Sequence, residues 1–285
     1  MKVATKRKIK IVADSSSDVT ALNGVDFGLA PLKIITAEKE YIDTAALDAE
    51  AMAKALYSYK GKSSTSCPNT ADWTEAFGDA ELIFCLTITA TLSGSYNSAM
   101  IAKREYEEAH PDRRVFVFNS LTTGPEMGLM IEKICELLHE DKEFDEICRA
   151  VEEYSKDTGL LFVLESLKNL ANNGRVSAIV AKMAGILGIR LVGKASEQGD
   201  LEPLSKCRGE RKAVENVIYQ LDKCGYKGGK IRIGHCLGEG TANDIRSLVT
   251  EKYPNADVTV YKCRGLCSFY AEKGGVLIGF EKGLV

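Results

Sequence analysis

The amino-acid sequence predicts an α/β protein of two domains, the first of which contains a parallel sheet between layers of helices. Two observations lead to this fold class. In the first half, short apolar runs alternate with amphipathic segments, a pattern typical of parallel βα units with right-handed crossovers. The length of 285 residues also suffices for about two domains. Because the pattern changes near Thr158-Gly159, we expect one domain over residues 1–158 and a second over residues 159–285.

The elements of the first domain follow from apolar runs bounded by polar turns, which favour buried strands. The predicted strands are residues 9–13, 31–35, 82–87 and 115–118. Apolar residues at helical spacing predict helices over residues 47–59, 70–78, 95–109 and 124–140. In a parallel sheet of this kind, ligands bind beyond the carboxyl ends of the strands.

The second half has a different order of elements. The apolar spacing predicts helices over residues 142–156, 165–172, 209–223 and 241–252. The predicted strands are residues 160–164, 230–235, 257–262 and 276–280. Gln198-Gly199-Asp200 is expected to form a turn.

Composition argues against several classes of function. Thirty-seven basic and 40 acidic residues give a net charge of -3 without a long basic run, so a nucleic-acid partner is not expected. We also expect no signal peptide and no membrane span, since no run approaches roughly 18 apolar residues. The nine cysteines include no Cys-x-x-Cys, which favours reduced thiols and a cytoplasmic location. Cys263 and Cys267 could share a helix face, but they lack further ligands, and no metal site is predicted.

Four segments rich in Ser and Thr are the clearest indication of a binding site. They are residues 14–18, 63–68, 92–95 and 119–124. Three of them follow predicted strands, so in a parallel sheet they would share an edge where helix N-termini offer free N–H groups to an anion. The same residue types are also common caps and turn formers, so each segment alone has an ordinary structural explanation.

The class of ligand is narrowed by what these loops lack. Ser93-Gly94-Ser95 has no following Lys as a P-loop requires, and the glycines of residues 234–240 lack dinucleotide-binding spacing. Neutral hydroxyls and backbone N–H groups suit a singly charged head group such as a carboxylate. An acyl hydrolase or transferase with Ser93 as nucleophile is an alternative, although Ser93 lies in no Gly-x-Ser-x-Gly elbow. Its base would be His235, for which no carboxylate partner is recognisable.

Several short motifs resemble those of the DegV family and keep the family's order over nearly the whole chain. They are Ile11-Val12-Ala13-Asp14-Ser15-Ser16-Ser17-Asp18, Thr65-Ser66-Cys67-Pro68, Leu92-Ser93-Gly94-Ser95-Tyr96, Asn173-Gly174-Arg175-Val176-Ser177 and residues 199–212. The resemblance implies a two-domain α/β protein, with a mixed sheet in the second domain, that binds a long-chain fatty acid between its domains. Some members of the family present the acid to an ATP-binding fatty acid kinase subunit, which makes an acyl phosphate.

The resemblance also implies which residues bind the ligand. In the family, a threonine and a serine hold the carboxylate, and these positions are Thr65 and Ser93 here, with Gly94 beside them. Arg175 is associated with the head-group region or with the surface that meets the partner. We assign Asp14 and Ser15 to that same region.

The chain departs from the family's pattern at two positions. Our alignment places Tyr270 where many members have a histidine, and Cys67 replaces the usual glutamine of the Thr-Ser-x-Pro motif. A tyrosine hydroxyl can still donate to a carboxylate, although it adds no charge near neutral pH.

We therefore predict a cytoplasmic fatty-acid-binding protein with no catalytic activity and no cofactor, which supplies acyl chains to a partner. Burial of the tail in an apolar tunnel would provide the binding energy. The Ala- and Gly-rich residues 178–188 would leave room for the tail beside Met183, Ile186 and Leu187. An ordinary core helix explains that stretch equally well.

Overall fold

A four-stranded parallel sheet forms the centre of the first half of the chain, with its strands in the order β2-β1-β6-β7. The computed structural model of the protein describes residues 7–177 and 188–283. The strands of this sheet are β1 (Ile9–Asp14), β2 (Asp26–Ala30), β6 (Leu82–Thr87) and β7 (Arg114–Asn119). Side chains alternate between its faces, since Ile11 packs in one apolar layer and Val12 in the other.

Helices cover both faces of the parallel sheet. On one face lie α2 (Thr70–Phe77) and α3 (Ser95–Ala109), and on the other lie α4 (Gly124–His139) and α5 (Phe144–Tyr154). Helix α2 begins with a capping box, in which the side chains of Asn69 and Asp72 accept hydrogen bonds from each other's backbone N–H. The predicted helix–sheet–helix arrangement of this part of the chain is confirmed.

A small antiparallel sheet in the first half is missing from the sequence-based prediction. Its order is β4-β3-β5, and its strands are β3 (Lys33–Thr36), β4 (Glu40–Ile42) and β5 (Ser63–Ser66). The strand predicted over residues 31–35 therefore lies outside the parallel sheet, whose edge strand is β2. That strand is five residues long and contains a glycine, so its local signal is weak and its pairing with β1 decides its conformation. Helix α1 (Ala49–Ser58) connects β4 to β5.

The second half of the chain forms a six-stranded mixed sheet, as the resemblance to the DegV family implies. Its order is β10-β9-β8-β13-β11-β12, and β11 and β12 are its parallel pair. The strands are β8 (Thr158–Leu164), β9 (Ile189–Ala195), β10 (Leu201–Arg208), β11 (Tyr226–Cys236), β12 (Asp257–Lys262) and β13 (Gly275–Lys282). Its described helices are α6 (Lys168–Asn172), α7 (Glu210–Lys223), α8 (Glu239–Lys252) and α9 (Gly265–Ala271).

The prediction missed two elements of the second half, and part of what it proposed lies outside the described residues. The hairpin β9–β10 and helix α9 were not predicted. The suggested tail-binding residues Met183, Ile186 and Leu187 lie outside the described residues.

Within residues 7–177 and 188–283, no helix combines the length and the apolar character needed to cross a membrane.

Helix α4 packs against both large sheets and so joins the two halves. Its first turn lies so close to β13 that a Cβ atom on Gly279 would come within 2.4 Å of the Glu126 nitrogen. The buried Glu126 carboxylate also accepts a hydrogen bond of 2.7 Å from the Thr158 hydroxyl at the start of β8. The domain boundary near residue 158 stays a prediction.

Helix α9 is fixed by carboxylates from the first half of the chain. The Arg264 N–H donates to Asp18 Oδ1 at 2.8 Å, while the Gly265 and Leu266 N–H groups donate to Asp43 at 2.9 and 2.8 Å. No side chain at the helix's own N-cap satisfies these groups. The start of α9 is therefore determined by contacts between residues more than 200 positions apart in the chain.

Replacing Asp43 with alanine is expected to lower the free energy of unfolding by about 2–4 kcal/mol. Two buried N–H groups would lose their acceptor, and each buried donor left unsatisfied costs about 1–3 kcal/mol. Urea unfolding at pH 7 measures the change. The exposed Asp112 is a matched control, and Asp112→Ala should stay within about 0.5 kcal/mol of wild type. An equally small change for Asp43→Ala would contradict the role given to this carboxylate.

Candidate ligand-binding cavity

A cavity of about 280 Å³ lies between the loops that follow the parallel strands and the face of the six-stranded sheet. Most of its wall is apolar and comes from both halves of the chain. The large apolar side chains of the wall are Leu32, Ile88, Leu92, Leu160, Phe162, Leu164, Leu170, Leu201, Leu266 and Leu277. A cavity with such walls and a few polar groups is the usual form of a small-molecule site.

Four of the residues predicted for the site line this cavity with polar side chains. We call Thr65, Ser93, Arg175 and Tyr270 the polar wall. The Thr65 and Tyr270 hydroxyls are hydrogen-bonded at 2.7 Å, and either oxygen can be the donor. Two residues 205 positions apart therefore present their hydroxyls together, one from β5 and the other from α9.

Ser93 and Gly94 lie at the start of α3, in the loop that follows β6. Ser93 Oγ accepts a hydrogen bond of 3.2 Å from the Ser95 N–H, while Gly94 is the N-cap residue and has no side chain to cap the helix. Gly94 also lines the cavity, and a Cβ atom there would come 3.3 Å from Cys67 Sγ. Glycine thus leaves room for Cys67 beside the first turn of α3.

Arg175 links the loop after α6 to the loop that carries Ser93. Its Nε–H donates to the Leu92 carbonyl at 3.2 Å, and another guanidinium N–H donates to the Asn173 carbonyl. The side chain is held against the cavity by backbone carbonyls, and it gives the polar wall a positive charge. It is close enough to Tyr270 to lower the pKa of that hydroxyl.

Tyr270 is a neutral donor at physiological pH. Burial raises the pKa of its hydroxyl, whereas the hydrogen bond to Thr65 and the charge of Arg175 act in the opposite direction. A neutral phenol retains its proton and can donate it to an acceptor in the cavity.

Asp14 and Ser15, which were assigned to the head-group region or the partner surface, are not among the residues that line the cavity, and that assignment stays a prediction. Both are buried, and Ser15 Oγ accepts from the Leu32 N–H at 3.0 Å. Asp14 accepts from the Ile88 N–H at 2.9 Å and from the Ser95 hydroxyl at 2.6 Å. Burial raises the pKa of Asp14, and these hydrogen bonds oppose that rise. Asp14 therefore fixes both ends of the loop that carries Ser93.

The hairpin turn between β9 and β10 also lines the cavity, although the sequence indicated only a turn there. Thr91 Oγ1 donates to the Gly199 carbonyl at 3.0 Å. Gly199 has a φ of +84°, and a Cβ atom would lie 2.2 Å from Thr89 Oγ1, so only glycine fits. The hydroxyl-rich segment 119–124 contributes Thr122 and Thr123 to the wall.

Neither a histidine nor a metal-ligand cluster is found among the described residues that line the cavity. The chain's three histidines, all in the described part, lie away from its wall, and His235 lines a different cleft. Over residues 7–177 and 188–283, no group of three or more His, Cys, Asp or Glu side chains is placed to hold a metal ion.

Fold and site together define an α/β ligand-binding protein whose apolar cavity lies between two sheets and carries a wall of hydroxyl groups. The chain belongs to the DegV family, since the family model described as "Uncharacterised protein, DegV family" matches residues 8–282. A DegV domain-containing protein of Streptococcus pneumoniae is 41% identical over 276 residues, covering 95% of this chain and 98% of the relative. A Streptococcus gordonii relative is 40% identical over 278 residues, with coverage of 96% and 99%.

Solved structures of the family have the same fold. A DegV family protein from Eubacterium eligens, loaded with heptadecanoic acid, has a TM-score of 0.94 and 44% identity, and the match covers 96% of this chain and 100% of that one. The fatty acid kinase (Fak) B3 protein of Streptococcus pneumoniae, loaded with linoleic acid, has a TM-score of 0.94 and 41% identity, with coverage of 97% and 100%. The predicted two-sheet α/β fold is therefore confirmed.

Asp18 is a buried carboxyl group beneath the cavity that sequence analysis did not single out. Its Oδ1 accepts the Arg264 N–H, while its Oδ2 is buried without a hydrogen-bond partner. Burial raises the pKa of Asp18 to about 7; the Arg264 N–H lowers it, and the nearby Asp43 raises it further. The native protein therefore holds a proton here that an unfolded chain releases near pH 4.

The titration of Asp18 predicts that stability falls as the pH rises towards 7. Because the pKa of Asp18 is higher in the native protein than in the unfolded chain, the bound proton stabilises the native state. This stabilisation is complete below the pKa of the unfolded chain and is lost as the pH rises through about 7. Asp18→Asn keeps an acceptor for Arg264 and suits the left-handed φ of 62°. Between pH 5 and 8, wild type should lose about 2–3 kcal/mol relative to this variant in urea unfolding. Asp112→Asn should retain the wild-type slope, and parallel curves for wild type and Asp18→Asn would contradict the assignment.

Proposed function

We propose that this protein binds a long-chain fatty acid without transforming it and supplies the acyl chain to a partner. The observation that carries this proposal is a cavity with a mostly apolar wall, which the hydrogen-bonded hydroxyls of Thr65 and Tyr270 interrupt. Relatives of 44% and 41% identity loaded with heptadecanoic and linoleic acid support the same class of ligand.

The apolar wall accounts for the binding energy of such a ligand. Each buried methylene contributes about 0.8 kcal/mol, so a tail of about fifteen methylenes gains about 12 kcal/mol before the costs of association and ordering. The carboxylate opposes binding unless donors replace its lost water. Tight binding therefore depends on hydrogen-bond donors that replace the water lost by the carboxylate, more than on further apolar contacts.

The polar wall supplies these donors in our proposal. The Thr65 and Tyr270 hydroxyls lie 2.7 Å apart, and each has a proton that it can donate to a carboxylate. Ser93 offers a third hydroxyl, and Gly94 lies beside it at the N-terminus of α3, where the helix dipole favours negative charge. Arg175 adds a positive charge nearby.

The partner in our proposal is an ATP-binding fatty acid kinase subunit. The support is the 41% identity to the Streptococcus pneumoniae fatty acid kinase (Fak) B3 protein, together with a match over 97% of this chain. All nine cysteines of this chain are free thiols, which favours a cytoplasmic location for it.

An acyl hydrolase or transferase with Ser93 as nucleophile is the weaker candidate. None of the three histidines of the chain, each of which is described, lines the cavity, and Ser93 Oγ accepts a hydrogen bond from the Ser95 N–H. A nucleophilic serine normally needs an adjacent base. Labelling of Ser93 by a fluorophosphonate, with turnover of p-nitrophenyl esters, would favour the enzyme over the binding protein.

Protein purified from cells is expected to carry a fatty acid, because the apolar cavity is poorly satisfied by water. Native mass spectrometry should show a mass increase that matches an acid of about 14–18 carbons, which extraction then identifies. Protein stripped of lipid should take up added palmitate or oleate. A preparation that is always empty and ignores both acids would contradict the proposed function.

Removing the Thr65 and Ser93 hydroxyls together is expected to lower fatty-acid affinity at least about tenfold, because each lost hydrogen bond to a carboxylate contributes about 1.5–3 kcal/mol. Titration of a fluorescent fatty acid compares Thr65→Ala/Ser93→Ala with wild type. Ser247→Ala removes an exposed hydroxyl on α8 and should leave affinity unchanged. Equal affinities for all three proteins would reject this head-group assignment while leaving lipid binding itself intact.

A further inference from the structure

A second cleft, of about 620 Å³, lies against another face of helix α9. It forms where β11 and β12 end, next to the first turns of α1 and α8. These two strands are parallel neighbours, and ligands of α/β proteins commonly bind beyond the carboxyl ends of such strands. No residue that lines this cleft also lines the fatty-acid cavity.

Two nitrogen atoms of the residues that line the cleft are buried without partners. His235 is 5% exposed, and its Nδ1 makes no hydrogen bond. Arg264 Nε is unpartnered as well. Both His235 and Arg264 are among the residues that line the cleft. Because buried polar groups are nearly always hydrogen-bonded, two orphans at one cleft indicate a missing partner.

Helix α8 begins at the same cleft and its start has no side-chain cap. Its N-cap residue is Gly238, and the first-turn residues Glu239 and Gly240 line the cleft. The free N–H groups and the positive end of the helix dipole at this 14-residue helix favour an anion.

Most other charged groups at the cleft are already paired. Lys54 and Lys262 both contact Glu50, at 2.6 and 2.7 Å. Asp48 accepts the Ala51 N–H at 2.9 Å as the N-cap of α1. Glu239 is the remaining carboxylate and lies on the exposed first turn of α8, where it competes with any bound anion.

We propose that this cleft binds a small molecule through a phosphate-type oxyanion. The first-turn N–H groups of α8 and the nitrogens of His235 and Arg264 then approach the oxyanion from different elements. A tetrahedral oxyanion suits this arrangement, because it accepts hydrogen bonds in several directions, and helix N-termini recurrently bind phosphate groups. The site is independent of the fatty-acid cavity and of the function proposed for it.

Calorimetric titration of the full-length protein with inorganic phosphate, in a buffer free of other oxyanions, tests this proposal. Wild type should bind one phosphate saturably. His235→Gln should weaken binding at least about fivefold, whereas Glu239→Gln should strengthen it at least about twofold, because it removes the competing carboxylate. His139→Gln changes an exposed histidine at the end of α4 and should leave binding unchanged.

The position of the anion provides a separate measurement. Crystals grown with selenate should show anomalous density between His235 and the first turn of α8. The absence of saturable phosphate binding, selenate elsewhere on the surface, or equal affinities for wild type and Glu239→Gln would each overturn the proposal. Glu239 is exposed, so that variant decides the question even if His235→Gln does not fold.

Discussion

The placement of helix α9 by two carboxylates is the interaction on which both ligand sites depend. Asp18 and Asp43 accept the N–H groups of Arg264, Gly265 and Leu266 at its start. A helix of seven residues has little stability of its own, so these contacts and its packing determine where it begins. Its Tyr270 lines the cavity and its Ser268 lines the cleft. An error in the start of α9 would therefore displace groups of both sites.

Buried acids bonded to neutral donors recur in this protein. Asp14, Asp43 and Glu126 all accept hydrogen bonds from N–H or hydroxyl groups, and burial raises the pKa of each. A more exposed link between the halves is ionic, since Arg232 of β11 contacts Glu132 of α4 at 2.8 Å. Directional hydrogen bonds fix the loops under the cavity without placing a strong positive charge in its floor.

The parallel sheet and its helices could be predicted because their patterns are local: apolar runs between polar turns, and apolar residues at helical spacing. Helix α9 could not. Gly265-Leu266-Cys267-Ser268-Phe269 is buried throughout, so it shows no amphipathic period, and its start is set by Asp18 and Asp43 from the far end of the chain. The edge strand β2 was missed for a related reason, since its pairing with β1 outweighs a weak local signal.

For the candidate site too, some features could be predicted from the sequence and others could not. Thr65, Ser93, Arg175 and Tyr270 line the cavity, and short motifs shared with the DegV family pointed to each of them or to its aligned position. Asp14 is buried and fixes the loop beside the cavity, and a sequence motif does not distinguish such a residue from one that lines the cavity. That distinction depends on which N–H groups the fold brings to the carboxylate.

The polar wall suits a protein that must release its ligand as well as bind it. Its hydrogen-bond donors are mainly neutral hydroxyls, and its one positive side chain, Arg175, already donates to the carbonyls of Leu92 and Asn173. If the carboxylate formed a buried ion pair with a side chain that had no other partner, that ion pair would have to break each time the acid left. Release would then be slow, because an uncompensated charge would remain in the cavity. The Thr65 and Tyr270 hydroxyls are neutral and satisfy each other, so neither needs a carboxylate as its partner. Apolar burial of the tail then provides most of the affinity.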